Sequence, residues 1–134
     1  LVPKVERKNI LGTIFSSSLF ENRAPEGYVT LSTYIGGMRQ PDHALLDDQE
    51  MDRLILEDLE ALLGVRGEPA FINRRVWKKA IPQYTVGYGK ILDRFNELEA
   101  AHSGLFFAGH YRNGISLGDS ILAGLDVAHR INQQ

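Results

Sequence analysis

The chain has 134 residues, 43% hydrophobic and 24% charged, the balance of one globular domain or a piece of one rather than of a disordered chain. A net charge of −2 and an isoelectric point near 6.1 offer no electrostatic footprint for a nucleic-acid partner. The lack of cysteine excludes disulfides, thiolate metal sites, iron–sulfur clusters, a thioether-linked cofactor and a cysteine nucleophile.

No apolar run reaches the ~18–20 residues of a membrane span, and "LVPKVERKN" lacks the layout of a signal peptide. A reducing, cytoplasmic location is expected. The first residue is not Met, as expected of a segment cut from a longer chain. His43, His102, His110 and His129 show no metal-ligand spacing, so no metal site is expected.

"NILGTIFSSSLF" (9–20) and "GYVTLSTYIGG" (27–37) are rich in β-branched and aromatic residues and flank the turn formers of "ENRAPE". They predict two strands of an antiparallel unit. Within the second, Val29, Leu31 and Thr33 alternate with Tyr28, Thr30, Ser32 and Tyr34. Gly12, Gly36 and Gly37 mark either a close approach to the backbone or simple bends. Ser16 to Ser18 fall in an expected strand with no paired base, so no serine nucleophile is expected.

"DDQEMDRLILEDLEALLG" (47–64) predicts a helix capped by Asp47, with Glu50 three residues on and Gly64 as its stop. Met51, Leu54, Ile55, Leu59, Leu62 and Leu63 form its apolar face, and its acids read as the solvated face. "PAFINRRVWKK" (69–79) predicts a strand, and "AIPQYTVGYG" a rigid irregular passage in which Pro82 holds Ile81 extended. "KILDRFNELEAA" (90–101) predicts an amphipathic helix through Ile91, Leu92, Phe95 and Leu98. "GLFFAG" (104–109) predicts a strand buried on both faces, as in a parallel sheet. The last helix is expected over 116–131. These elements give an α+β fold, with an α/β fragment at its end, and no internal repeat.

The junction "FFAGHYRNGISLGDS" (106–120) joins a strand, a glycine bend and a helix N-terminus, where unpaired backbone N–H groups can meet an anionic or hydrogen-bonding ligand. Gly109 and Gly114 have P-loop spacing, but Ile115 and Ser116 replace the required Lys and Ser/Thr, and no G-x-G-x-x-G occurs anywhere. A primary nucleotide-phosphate site is therefore disfavoured. Ser116 and Asp119 fit a capping box, while Ser120, Gly124 and Ala128 form a small-residue stripe that permits close packing. Either an ordinary packing joint or a seat for a flat ring with a polar edge suits this pattern.

Three blocks, "ILGTIFSSSLFENRAPEGYVTLSTYIGG", "WKKAIPQYTVGYG" and "GLFFAGHYRNGISLGDSILAGLDVA", resemble in order and spacing the oxygen-dependent, FAD-containing protoporphyrinogen oxidases of the flavin amine oxidase superfamily. The last block is shared widely among such flavoenzymes, whereas the first two single out this group. The resemblance implies the C-terminal portion of an enzyme that oxidises protoporphyrinogen IX to protoporphyrin IX with FAD and O2 in haem synthesis. Residues 1–80 would belong to its substrate domain, and 81–134 would close its FAD domain as a terminal strand–loop–helix.

The motif match implies FAD contacts at His110, Gly114, Ile115, Ser116 and Leu117, made mainly by backbone N–H groups. A helix N-terminus there would favour the negative charge that reduction places near the flavin N1 and C2 carbonyl. It also implies a porphyrinogen-binding wall at Leu1, Ile14 and Tyr34, apolar as a tetrapyrrole requires. Two other readings stand beside it. One is a related flavin amine oxidase or desaturase with another apolar substrate. The other is a non-catalytic module binding anionic lipid through "NRRVWKK" (73–79), and peripheral contact with a membrane would also suit a poorly soluble substrate.

Overall fold

Ile10 faces Ile35 across an antiparallel hairpin formed by β1 (Ile10–Phe15) and β2 (Leu31–Ile35). The register then slips by one residue, so that Gly12 pairs with Tyr34 and Ile14 with Ser32. Leu11 is the extra residue of this bulge, and its carbonyl accepts the Val2 N–H at 2.9 Å. On one face the Thr13 and Thr33 hydroxyls meet at 2.5 Å. On the other lie Gly12, Ile14, Ser32 and Tyr34, the alternation expected for the second strand. The computed structural model describes residues 1–133.

Both strands are shorter than expected, and the serines explain the first. Ser16–Leu19 forms a one-turn helix, α1, instead of extending β1. The Ser17 hydroxyl accepts the Thr30 N–H at 3.0 Å, and the Ser16 and Ser32 hydroxyls meet at 2.7 Å, so side chains take over groups that a longer ladder would pair. Residues 27 and 28 belong to a turn closed by the Tyr28 N–H donating to the Pro25 carbonyl.

α2 (Asp48–Leu63) follows its sequence closely. Asp47 caps it by accepting the Glu50 N–H at 2.9 Å, and Gly64 ends it in the left-handed region. Met51 and Leu59 are buried, as is Ile10 of β1. The acids do not all face solvent. Asp58 is buried and accepts the Asn9 and Ile10 N–H groups at 2.5 and 3.0 Å, with Lys8 Nζ 3.8 Å away. It thereby fastens the start of β1 to the helix.

Residues 69–79 do not form the expected strand. Arg74 instead reaches back to α2, donating to Asp52 through Nε at 2.9 Å and through Nη2, and to Asp48 at 3.3 Å. An ion-pair fork, rather than a strand ladder, fixes this segment. The chain divides into two compact units, Leu1–Val76 and Trp77–Gln134.

The second unit contains α3 (Gly89–Ala101) and α4 (Leu117–Asn132). The expected strand at 104–109 is absent. A strand needs a paired neighbour, but here the Phe107 N–H donates to Glu99 Oε1 at 2.6 Å and the Phe107 carbonyl accepts from Arg112 at 3.0 Å. Side chains satisfy the backbone. The small-residue stripe of α4 does not pack closely either, since a Cβ built at Gly124 meets no atom within 4 Å, and Ala123 is the residue that is buried. The whole is a mixed α+β chain.

Candidate functional site

Residues 109–117 form a bend whose shape is set from both sides. Gly114 has φ +139°, and a Cβ there would lie 2.5 Å from Asp119 Cγ, so only glycine admits the carboxylate that curls over it. That carboxylate completes the predicted capping box. Asp119 Oδ2 accepts from the Ser116 hydroxyl at 2.7 Å and the Ser116 N–H at 3.2 Å, while Ser116 Oγ accepts the Asp119 N–H at 3.0 Å. Two donors of the first turn remain, since the Leu117 and Gly118 N–H groups donate to no group among the described residues. Ile115 and Leu117 are exposed beside them, Leu117 by 79%.

The "IPQY" passage braces the bend. The Tyr84 hydroxyl donates to the His110 carbonyl, and the Tyr88 hydroxyl donates to the Tyr111 carbonyl at 2.5 Å. The two tyrosine rings lie 4.9 Å apart, and Phe95 stacks against Phe107 at 4.8 Å and meets Tyr111 edge-on at 5.5 Å. His110 itself is exposed, and it is the backbone of this residue that is held.

Sequence reasoning missed the centre of the assembly. Glu99 accepts from Arg112 at 2.5 and 3.1 Å through both carboxylate oxygens, from Arg130 of α4 at 2.7 Å, and from the Phe107 N–H. Arg112 also donates to Asn96 Oδ1 at 2.6 Å. The Glu99 and Arg112 side chains are only 9% and 13% exposed. The Arg112 fork, joined by Arg130 and the Phe107 N–H, outweighs desolvation and holds the Glu99 carboxyl down at about 2. A signal was present. Glu99 stands four residues after Phe95 and seven after Leu92, on the apolar face of α3.

The expected wall residues belong to the first unit. Ile14 and Tyr34 lie on the same sheet face, 40% and 55% exposed. Leu1 runs over Gly12 on that face, its Cα 2.9 Å from where a Cβ of residue 12 would be, which identifies Gly12 as a point of close approach. Gly36 is another, packed on Ala44. The arginines of the basic passage are engaged rather than displayed: Arg74 is bound by α2, and Arg75 and Trp77 also have partners. Among the described residues there is no metal-ligand cluster, and no helix is long and apolar enough to cross a membrane.

The sequence that builds this bend and this hairpin is similar to those of known proteins. The chain is 37% identical over 131 residues to the mitochondrial protoporphyrinogen oxidase of Nicotiana tabacum, covering 96% of this chain and 26% of that protein. The same identity and coverage hold for protoporphyrinogen oxidase 2, chloroplastic/mitochondrial, of Arabidopsis thaliana. Coproporphyrinogen III oxidase of Bacillus subtilis is 28% identical over 113 residues, 84% of this chain and 24% of that protein. The chain thus spans about a quarter of the length of these relatives. Residues 2–132 match the family described as flavin containing amine oxidoreductase, so that nearly every element above, hairpin and bend alike, lies within it: the chain belongs to that flavoenzyme family.

Proposed function

We propose that this chain is the C-terminal portion of an FAD-dependent oxidase that converts protoporphyrinogen IX to protoporphyrin IX with O2 on the way to haem. The observation that carries this reading is the pair of N–H donors at Leu117 and Gly118, left over after the Ser116–Asp119 box is complete. Their relatives' names supply the substrate class.

In this reading residues 81–134 complete the FAD domain, and residues 1–80 belong to the substrate domain. His110, Gly114, Ile115, Ser116 and Leu117 line the cofactor. Bound FAD supplies the acceptor for hydride equivalents taken from the porphyrinogen. The chain's own part is to present N–H groups at a helix N-terminus, where developing negative charge is favoured. Because Ser116 is engaged by Asp119, donation falls to Leu117 and Gly118. The exposed Ile115 side chain offers apolar area to a flat ring, while Leu117 acts through its backbone N–H.

Leu1, Ile14 and Tyr34 supply an apolar wall for the macrocycle, with the Tyr34 hydroxyl as its polar edge. Such a wall favours protoporphyrinogen over the more carboxylated coproporphyrinogen, and the two kcat/KM values measured on one preparation would rank them. A cytoplasmic location with peripheral membrane contact goes with this reading. Fractionation of the native protein decides it, since the plant relatives bear organelle names.

The test is Leu117→Pro in the full-length protein. Leu117 is the first helical residue, Ser116 before it is extended at φ −72° and ψ 160°, and the Leu117 side chain is exposed. Proline is tolerated there and removes one N–H with little else. The expected result is an FAD Kd raised about ten-fold, the loss of one hydrogen bond of roughly 1.4 kcal/mol, with Leu117→Ala close to wild type. An unchanged Kd in the proline variant would take the cofactor away from this bend.

A further inference from the structure

The two sides of the bend converge on one carboxylate. Arg112 lies within the bend, Arg130 lies on the far part of α4, and the Phe107 N–H lies just before the bend, yet all three donate to Glu99 of α3. Asn96, one helical turn earlier, takes a further Arg112 N–H. The Arg130 guanidinium also lies over the Phe106 ring at 5.1 Å, and so touches both α3 and the segment before the bend.

We infer that Glu99 is a positioning residue for the flavin. By holding Arg112 and Arg130 together, it fixes the direction in which the first turn of α4 presents the Leu117 N–H. This rests on the cofactor reading above. The physical ground is that a hydrogen bond weakens steeply once its angle and length depart from a narrow range. The bend itself is glycine-flanked and half exposed, and among the described residues no strand lies beside it, its other braces being the Tyr84 and Tyr88 hydroxyls at residues 110 and 111. Without the clasp, α4 and the bend are joined through the backbone of residues 112–116 and the Ser116–Asp119 box, neither of which ties them to α3. Preorganising those residues spares FAD the entropy of ordering them.

A merely structural Glu99 would alter stability while leaving the cofactor bond untouched, so the test is a double-mutant cycle on FAD affinity in the full-length holoenzyme. Glu99→Gln keeps an acceptor for the Phe107 N–H but loses the charge that holds both arginines. It is expected to raise the FAD Kd about ten-fold in the wild-type background and less than three-fold in the Leu117→Pro background, because the bond that Glu99 aims is already gone there. Equal effects in both backgrounds, or no effect in either, would overturn the inference. If Glu99→Gln does not fold, Arg130→Lys, which keeps the charge and loses the planar guanidinium that spans Glu99 and the Phe106 ring, is carried through the same cycle. A Leu117→Pro variant that binds FAD normally sinks the cofactor reading itself. One that binds weakly while Glu99→Gln does not sinks only the role of Glu99.

Discussion

Arg112 lies across both oxygens of Glu99, at 2.5 and 3.1 Å, with each side chain nearly sealed from water. A buried fork of this kind contributes to stability chiefly through what its loss leaves behind, an uncompensated charge in the interior.

The pH dependence follows from the depressed Glu99 carboxyl, about 2 in the folded chain against an ordinary 4.5. A carboxylate lowered in this way contributes stability that is fully present above pH 4.5 and disappears as pH falls toward 2. Urea unfolding of wild type and Glu99→Gln should therefore show a stability gap at pH 7 that narrows between pH 4.5 and 2. A gap that stays constant over that window would mean that the charge on Glu99 has no part in it.

Gly36→Ala should destabilise the first unit. The glycine sits at φ +89°, and a Cβ there would approach the Ala44 Cβ to 2.9 Å, so strain and overlap add. The expected cost is upward of ~1 kcal/mol, or a drop in Tm of about 4–8 °C for a unit of this size. Thermal unfolding followed by circular dichroism measures it, and an unaltered Tm would show that the 36–44 contact relaxes freely.

Ile14→Glu should act on substrate and leave the cofactor alone. Ile14 is 40% exposed on the sheet face, so a carboxylate there stays hydrated in the free protein and must shed water only against an apolar macrocycle. In the full-length enzyme the porphyrinogen KM is expected to rise about ten-fold or more at normal FAD content. A KM equal to wild type would remove Ile14 from the wall. Loss of solubility together with FAD would assign it to the core.

The 134-residue chain alone should purify without flavin and without oxidase activity. It contains no G-x-G-x-x-G loop for the pyrophosphate, and two N–H donors on one bend cannot replace that surface. Visible flavin absorbance near one equivalent in the purified chain would refute this.

Much of this architecture was legible wherever local rules decide. α2 runs between an Asp cap and a Gly stop, α4 starts at a Ser–Asp box, and the hairpin shows the expected two-residue alternation. The failures share a cause. Strands at 69–79 and 104–109 were inferred from apolar and β-branched content, but content cannot supply a pairing partner, and Arg74 and Glu99 took those segments by side-chain bonds instead. Asp58 and Glu99 were passed over for a related reason. Each is a carboxylate on the apolar face of its helix, and each accepts backbone N–H from outside that helix, Asp58 from Asn9 and Ile10 and Glu99 from Phe107. Such an acid, read by its position on the helix rather than by its charge, marks where another part of the chain is fastened. The bend at 109–117 was legible as geometry, through its glycines and cap, whereas the clasp that shapes it depends on contacts of residues 13 and 31 positions apart.

Gly114 and Asp119 carry a consequence for how descendants of this chain can vary. Any side chain at 114 would collide with the Asp119 carboxylate and with the Asp119 Cβ at 2.8 Å, and would do so at a φ of +139°. The dependence therefore runs one way. A lineage that replaces Asp119 with alanine gives up the capping box yet still needs glycine at 114, because the Cβ and the backbone angle remain. Position 119 should vary while 114 stays fixed, and revertants selected from a Gly114→Ala strain should restore the glycine itself rather than change 119.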